Sequence, residues 1–248
     1  MMEARILGSG GWIPTAMRET CCALIRAGTR ALLIDAGTGV RRLIEKPELL
    51  EGIDELDIVL THFHLDHVVG LSYLPALGLP RPPVVWAPGE LAYGTASRSV
   101  LGTIIGSPFF GAGLDAIAGD VKELTPEVEI GQLGVRVRVQ PRHSHPTVAL
   151  RVEDALTYCT DTAYDPANAS FAAGSRVLLH EAWHAADTTT DTGHTAAGEA
   201  GRLASEAGVR SLVLIHVDPL LRSDDELERV ARERFAGTRV GSDLLRVL

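Results

Sequence analysis

The chain has 248 residues, 46% of them hydrophobic, and a formal net charge of −9. That length and apolar share suit a single α/β domain over residues 1–248. The acidic balance argues against a broad RNA-binding face, because phosphate neutralisation supplies most of the affinity of such surfaces. Three cysteines, the neighbours Cys21 and Cys22 and the distant Cys159, give no disulfide framework and fit a reducing compartment. The start, "MMEARILGSGG", has Glu3 and Arg5 where a signal peptide would be apolar. Apolar runs such as "LVLI" at 212–215 are too short to span a bilayer. A soluble, cytoplasmic protein with no membrane partner is expected.

In chain order, "ARILG" (4–8), "CCALIRA" (21–27) and "ALLID" (31–35) are predicted strands separated by glycine-containing breaks. A helix is predicted over 39–46, ended by Pro47. "LDIVL" (56–60) reads as a buried strand and "PPVVWAP" (82–88) as a short one. Residues 89–120 carry seven glycines among apolar residues, which fits either helices broken by glycines or a flap. Strands return at "GVRVRVQ" (134–140), "TVALRV" (147–152) and "ALTYCT" (155–160). Arg136 and Arg138 share one face of the first of these, which reads as a solvated face. The strand "RVLLHE" (176–181), a helix near 195–207, the strand "SLVLIHV" (211–217) and a helix near 224–234 then alternate. Early hairpins and late strand–helix alternation together predict two mixed sheets packed face to face with helices outside.

The stretch "LTHFHLDHVVG" (60–70) places His62, His64, Asp66 and His67 directly after a buried strand. Imidazole nitrogen and carboxylate oxygen suit zinc and similar divalent ions. His62 and His64 can aim at one ion, Asp66 and His67 at a second. Two ions about 3.5–4 Å apart can activate water and clamp a phosphoryl or carbonyl oxygen.

"THFHLDH" resembles the H-x-H-x-D-H signature of the metallo-β-lactamase fold. The resemblance implies an α/β, αββα four-layer sandwich of two mixed sheets with outer helices. It also implies three more ligands: a His, a bridging acid and a last His. "QPRHSHPTVALRV" offers His143 and His145 for the first. His143 fits the ribonuclease Z branch, where a small residue, here Ala149, follows six positions later; His145 would then support the site or lie exposed. The bridging acid is Asp161 in "LTYCTDTAY", with Thr160 and Thr162 as candidate hydrogen-bond donors to it, although Asp-Thr after a strand is also ordinary turn chemistry. Cys159 reads as a small buried residue. The last ligand is His216 ending "SLVLIH", whose alternative is a core histidine. The implied set is His62, His64 and His143 on one metal, Asp66, His67 and His216 on the other, and Asp161 between. Zn²⁺ is the implied ion, with Mn²⁺ an alternative.

The opening "ILGSGGWIPTAMRETCCALIRAGTRALLIDAGTG" resembles that of ribonuclease Z-like proteins, including the turn "DAGTG", where Asp35 fixes the turn rather than binding metal. "LLHEAW" (178–183) resembles the family's H-E-A-T segment with Trp183 replacing Thr, and "GHTAAGEAGRLASEAGVRSLVLIH" resembles its H-S-T segment, helix and last strand. The resemblance implies a proton relay of Asp66, Glu181 and His194. Read alone, Glu181 could be a surface acid, and His194 the neighbour of a helix cap at Thr195. Only 17 residues separate His143 from Asp161, whereas the tRNA-processing members carry a long tRNA-gripping arm there.

The expected activity is therefore a dinuclear zinc hydrolase. It would cleave phosphodiesters of small nucleotides or short RNA by a metal-bound hydroxide, with tRNA a doubtful substrate. Hydrolysis of an ester, thioester or lactone on the same site is the alternative, as is 3′ processing of tRNA. A metal-binding sensor without turnover conflicts with the complete ligand set, and an iron redox site is separable by metal analysis. A homodimer is compatible with this reading.

Overall fold

The computed structural model describes residues 2–185, 193–221 and 223–248. Thirteen strands among them form two sheets. In the first, β1 (Met2–Gly8), β2 (Cys22–Ala27) and β3 (Arg30–Ile34) make an antiparallel meander, and β4 (Glu55–Val59), β5 (Val84–Ala87) and β6 (Asp120–Glu123) add in parallel, in the order β1-β2-β3-β4-β5-β6. In the second, β7 (Glu127–Ile130), β8 (Leu133–Gln140), β9 (Thr147–Val152) and β10 (Leu156–Cys159) run antiparallel. They are followed by the parallel strands β11 (Val177–Glu181), β12 (Ser211–Ile215) and β13 (Thr238–Val240).

The side-chain period of two sorts each central strand between two cores. Along β2 and β3, Ala23, Ile25, Leu32 and Ile34 face the second sheet and meet Val148, Leu150, Leu156 and Leu179. The alternate residues Leu24, Ala31 and Leu33 pack outward with Val40, Leu43, Leu71 and Leu101. On the far side, Leu178, Leu212 and Leu214 pack against Leu203 and Leu227. The outer layers are α1 (Arg41–Glu45), α2 (Leu65–Val68) and α3 (Ser97–Ile104) on the first sheet, and α4 (Ala167–Ala172), α5 (Ala197–Ala207) and α6 (Asp225–Arg232) on the second. The result is the four-layer αββα sandwich of two mixed sheets. Because both faces are covered, the central strands read as near-continuous apolar runs.

Several predicted boundaries differ from the observed ones. The helix expected over 39–46 begins as a 3₁₀ turn (Thr38–Val40) before α1, and Pro47 opens a further 3₁₀ turn (Pro47–Leu50), a position for which its fixed φ is suited. Residues 89–120 resolve into helices broken by glycines: one π turn (Gly89–Tyr93), α3, and a 3₁₀ turn (Leu114–Ala116). β6, "DVKE", and β7, "EVEI", lie at sheet edges. Their charged residues suit edges and erase the apolar signal. Arg136 is exposed, as a solvated face requires, while Arg138 pairs with Asp165 at 2.5 Å. Among the described residues no helix is long and apolar enough to cross a membrane.

Candidate metal centre

The motif leaves the C-terminal end of β4. His62 is buried, His64 is the N-cap residue of α2, and Asp66 and His67 occupy its single turn. His143 precedes β9, Asp161 follows β10, Glu181 ends β11, and His216 directly follows β12. Strand ends from both sheets thus converge on one cleft, where parallel strands commonly present functional groups.

The Asp161 carboxylate lies at the centre. Its Oδ1 is 3.9 Å from His62 Nε2 and 3.6 Å from His143 Nε2. Its Oδ2 is 3.1 Å from His67 Nε2 and 3.3 Å from His216 Nε2. Asp66 Oδ2 closes the second group at 3.4 Å from His67 Nε2 and 3.5 Å from His216 Nε2. His62, His64, His143 and Asp161 offer ligand atoms all within 4.8 Å of one another, and so could hold a metal ion. Donors about 2.0–2.1 Å from a tetrahedral ion lie roughly 3.4 Å apart, close to these separations. The Nε2 atoms of His62, His67 and His216 are buried without a hydrogen-bond partner among the described residues. Such orphaned nitrogens are costly, and ions accepted by their lone pairs would remove the cost. The residues fit divalent cations.

The electrostatics agree. Burial takes His62 well below its usual pKa, leaving the neutral imidazole that metal ligation needs. Burial would also lower His67 and His216, but the Asp161 carboxylate raises both. Burial would raise Asp161, yet the facing rings of His216, His67 and His62 hold it well below the carboxylate range. Two carboxylates among buried rings therefore draw positive charge into the cleft.

Further contacts hold the rings. Asp35, which is fully buried, accepts the Thr61 N–H at 2.8 Å through Oδ1 and lies 2.8 Å from His67 Nδ1 through Oδ2. Thr61 Oγ1 lies 3.0 Å from His62 Nδ1. Asp35 thus binds Thr61 and orients a ring of the cluster, a role that sequence reasoning missed in assigning it to its turn. Gly193 O accepts from His143 Nδ1 at 2.9 Å, and Thr160 Oγ1 donates to Asp161 Oδ2 at 2.7 Å. Thr162 does not do the same: its N–H donates to Glu181 Oε1 at 2.5 Å. Thr195 does not cap α5, since the N-cap residue is Ala196 and the Thr195 hydroxyl donates to Thr162 O at 2.6 Å. His145 is exposed, its ring 5.8 Å from that of His64.

Glu181 is buried rather than a surface acid, and its Oε2 lies 2.7 Å from His194 Nδ1 and 3.6 Å from His216 Nδ1. Burial would raise Glu181, and His194 pulls it down; burial would lower His194, and Glu181 raises it. Trp183 stacks on His194, with centroids 4.7 Å apart and planes at 17°. Cys159 is buried, as expected. Cys21 was not singled out from sequence, yet it groups with His67 and His216. Burial pushes its pKa up to about 11, so it stands there as a neutral thiol.

Residues 35, 161 and 216 adopt φ of +57°, +49° and +50°. Left-handed conformations at non-glycine residues are uncommon and cluster at functional sites. All three follow strand ends and turn their side chains toward the cluster.

Comparison with known proteins agrees with this geometry. A profile of the β-lactamase superfamily domain matches residues 30–217. Ribonuclease Z of Mycolicibacterium paratuberculosis is 31% identical over 276 residues, covering 100% of this chain and 98% of the relative. The metallo-β-lactamase fold protein YhfI from Bacillus subtilis superposes with a TM-score of 0.80 at 21% identity, over 99% of this chain and 98% of that one. A diphosphatase from the PhnP family superposes at 0.75 and 18% identity, over 100% and 98%. The chain belongs to the β-lactamase superfamily and has the metallo-β-lactamase fold. Within that class it is a metal-dependent hydrolase of the ribonuclease Z-like kind.

Proposed function

We propose that the chain, as one domain over residues 1–248, is a dinuclear phosphodiesterase of small nucleotides or other small phosphodiesters. His62, His64 and His143 would hold one ion, Asp66, His67 and His216 the other, and Asp161 both, with zinc the ion best suited to this donor set. Ions held there would polarise the phosphoryl oxygens and activate the attacking water.

The chain's own groups supply the rest. His194 carries the phosphodiester reading. Its Nδ1 donates to Glu181 Oε2 at 2.7 Å, which leaves Nε2 to protonate a leaving alkoxide. Its ring lies 5.5 Å from His216 and 4.9 Å from His143, within reach of a group held at the cluster. Glu181 orients His194 and keeps it a proton donor. Asp66, whose Oδ2 accepts the Trp12 N–H at 2.8 Å, belongs to the relay through its contact with His216. The connection between His143 and Asp161 supports a small substrate, because β9, the turn at 153–155 and β10 occupy most of it.

The test compares kcat/KM for bis(p-nitrophenyl) phosphate, a 2′,3′-cyclic nucleotide, p-nitrophenyl acetate and a precursor tRNA. The two small phosphodiesters should be preferred. Preference for the acetate would assign the site to carboxylic esters, and preference for precursor tRNA by orders of magnitude would assign it to tRNA maturation.

A further inference from the structure

A pocket of about 550 Å³ opens against Leu65 of the metal motif, within the usual range of small-ligand sites of roughly 300–1,000 Å³. Leu65 and Val69 form one wall, and Ile104, Ile105, Phe109 and Phe110 form the other. Leu65 stands between His64 and Asp66 in the metal motif, so its Cα lies about 3.8 Å from the Cα of each. Leu65 therefore joins the pocket to the metal motif.

Its chemistry is one-sided. The remaining lining residues, Ser72 and Thr103, have already committed their hydroxyl protons, to Val69 O and Val100 O, each at 2.6 Å. Among the described residues no charged side chain lines it. A nucleobase edge would find no donor there, and a second phosphate no cation. Yet Leu65 is 65% exposed and Phe109 78%, an uncommon cost for large apolar side chains at the rim of a polar cleft. Trp12, 59% exposed, is anchored to the motif by its backbone N–H, which donates to Asp66.

We infer that this pocket seats an alkyl or aryl substituent of the substrate, so that the natural substrate is an amphipathic phosphodiester with its phosphoryl group at the cluster and its apolar arm against Leu65, Ile104 and Phe109. The inference rests on the phosphodiesterase reading for the phosphoryl end and on the pocket for the other.

Binding tests it without turnover. Methyl-, butyl- and hexylphosphonate are titrated calorimetrically into zinc-loaded protein. Affinity should rise by about fourfold per methylene as the chain fills the pocket. Thr103→Glu and Phe109→Ser, both at exposed positions, should bring the ratio of hexyl to methyl affinity towards one. Affinity independent of chain length, absence of binding by every homologue, or an unchanged ratio in Thr103→Glu overturns the inference. So does a change of oligomeric state in the variants with the ratio retained, which would make the pocket a contact between copies. Hydrolysis of the matching p-nitrophenyl alkyl phosphates is scored separately. A steep binding series without hydrolysis contradicts the phosphodiesterase reading alone, and hydrolysis with a flat binding series contradicts the pocket alone.

Discussion

The metal motif and the pocket wall at residues 101–110 come together at Leu65 and are held in opposite ways. At the cluster, named polar contacts fix the side chains: Asp35 holds His67, Thr61 holds His62, Gly193 O holds His143, and Glu181 holds His194. Its backbone is as closely fitted. A Cβ on Gly37 would lie 2.3 Å from Asp66 O. Across Leu65, the pocket wall is held mainly by apolar packing, through Leu101 and Ile105 in the outer core. Among the described residues a Cβ on Gly102 would meet nothing within 4 Å. A hydrolase needs both kinds of construction. Chemistry requires donors fixed to fractions of an ångström, whereas substrate choice can be set by an apolar surface of suitable volume.

The contrast is sharpest for the ligands. His143→Ala should remove metal and activity together, with a loss larger than the roughly 10–100-fold typical of outer supporting contacts. His145→Ala should leave the metal content unchanged, as measured by metal analysis of both variants. The reverse pattern would exchange the two histidines.

A smaller loss, and a selective one, is expected at the proton donor. His194→Ala should cost about 10²–10⁴-fold on a ribonucleotide diester, whose alkoxide needs a proton. It should cost much less on a p-nitrophenyl diester, with metal retained. Equal losses on both would make His194 a support of the site rather than an acid.

The least effect is expected in the other region. Gly102→Ala, inside α3 and in open space, should raise stability in urea by about 0.5–1 kcal/mol and leave the metal content unaltered. A destabilised or metal-poor Gly102→Ala would show instead that α3 is coupled to the cluster.

The same contrast governs what the sequence discloses. Ligand identity is chemistry carried by single residues, so His62, His64, Asp66 and His67 stand out in six positions, and the motif order leads to His143, Asp161 and His216. The structure brings these side chains into one cleft. The role of Asp35 was hidden because its reach to His67 depends on a left-handed backbone and on the pairing of β3 with β4. Cys21 was hidden for a related reason: its neighbours His67 and His216 come from distant segments. In residues 89–120, glycines and scattered apolar residues fit several backbones, and only packing against Leu65 and Val69 makes them a pocket. The edge strands β6 and β7 were illegible because charge there protects an edge instead of marking a face.

If a paired-metal site in this cleft carries the reaction, metal content and turnover should rise and fall together on a single preparation. Purified protein should hold close to two divalent ions per chain, predominantly zinc. Chelation should abolish hydrolysis of bis(p-nitrophenyl) phosphate, and Zn²⁺ or Mn²⁺ should restore it as the content returns to two. Full activity in protein stripped of metal, or full activity at one ion per chain, would contradict the account.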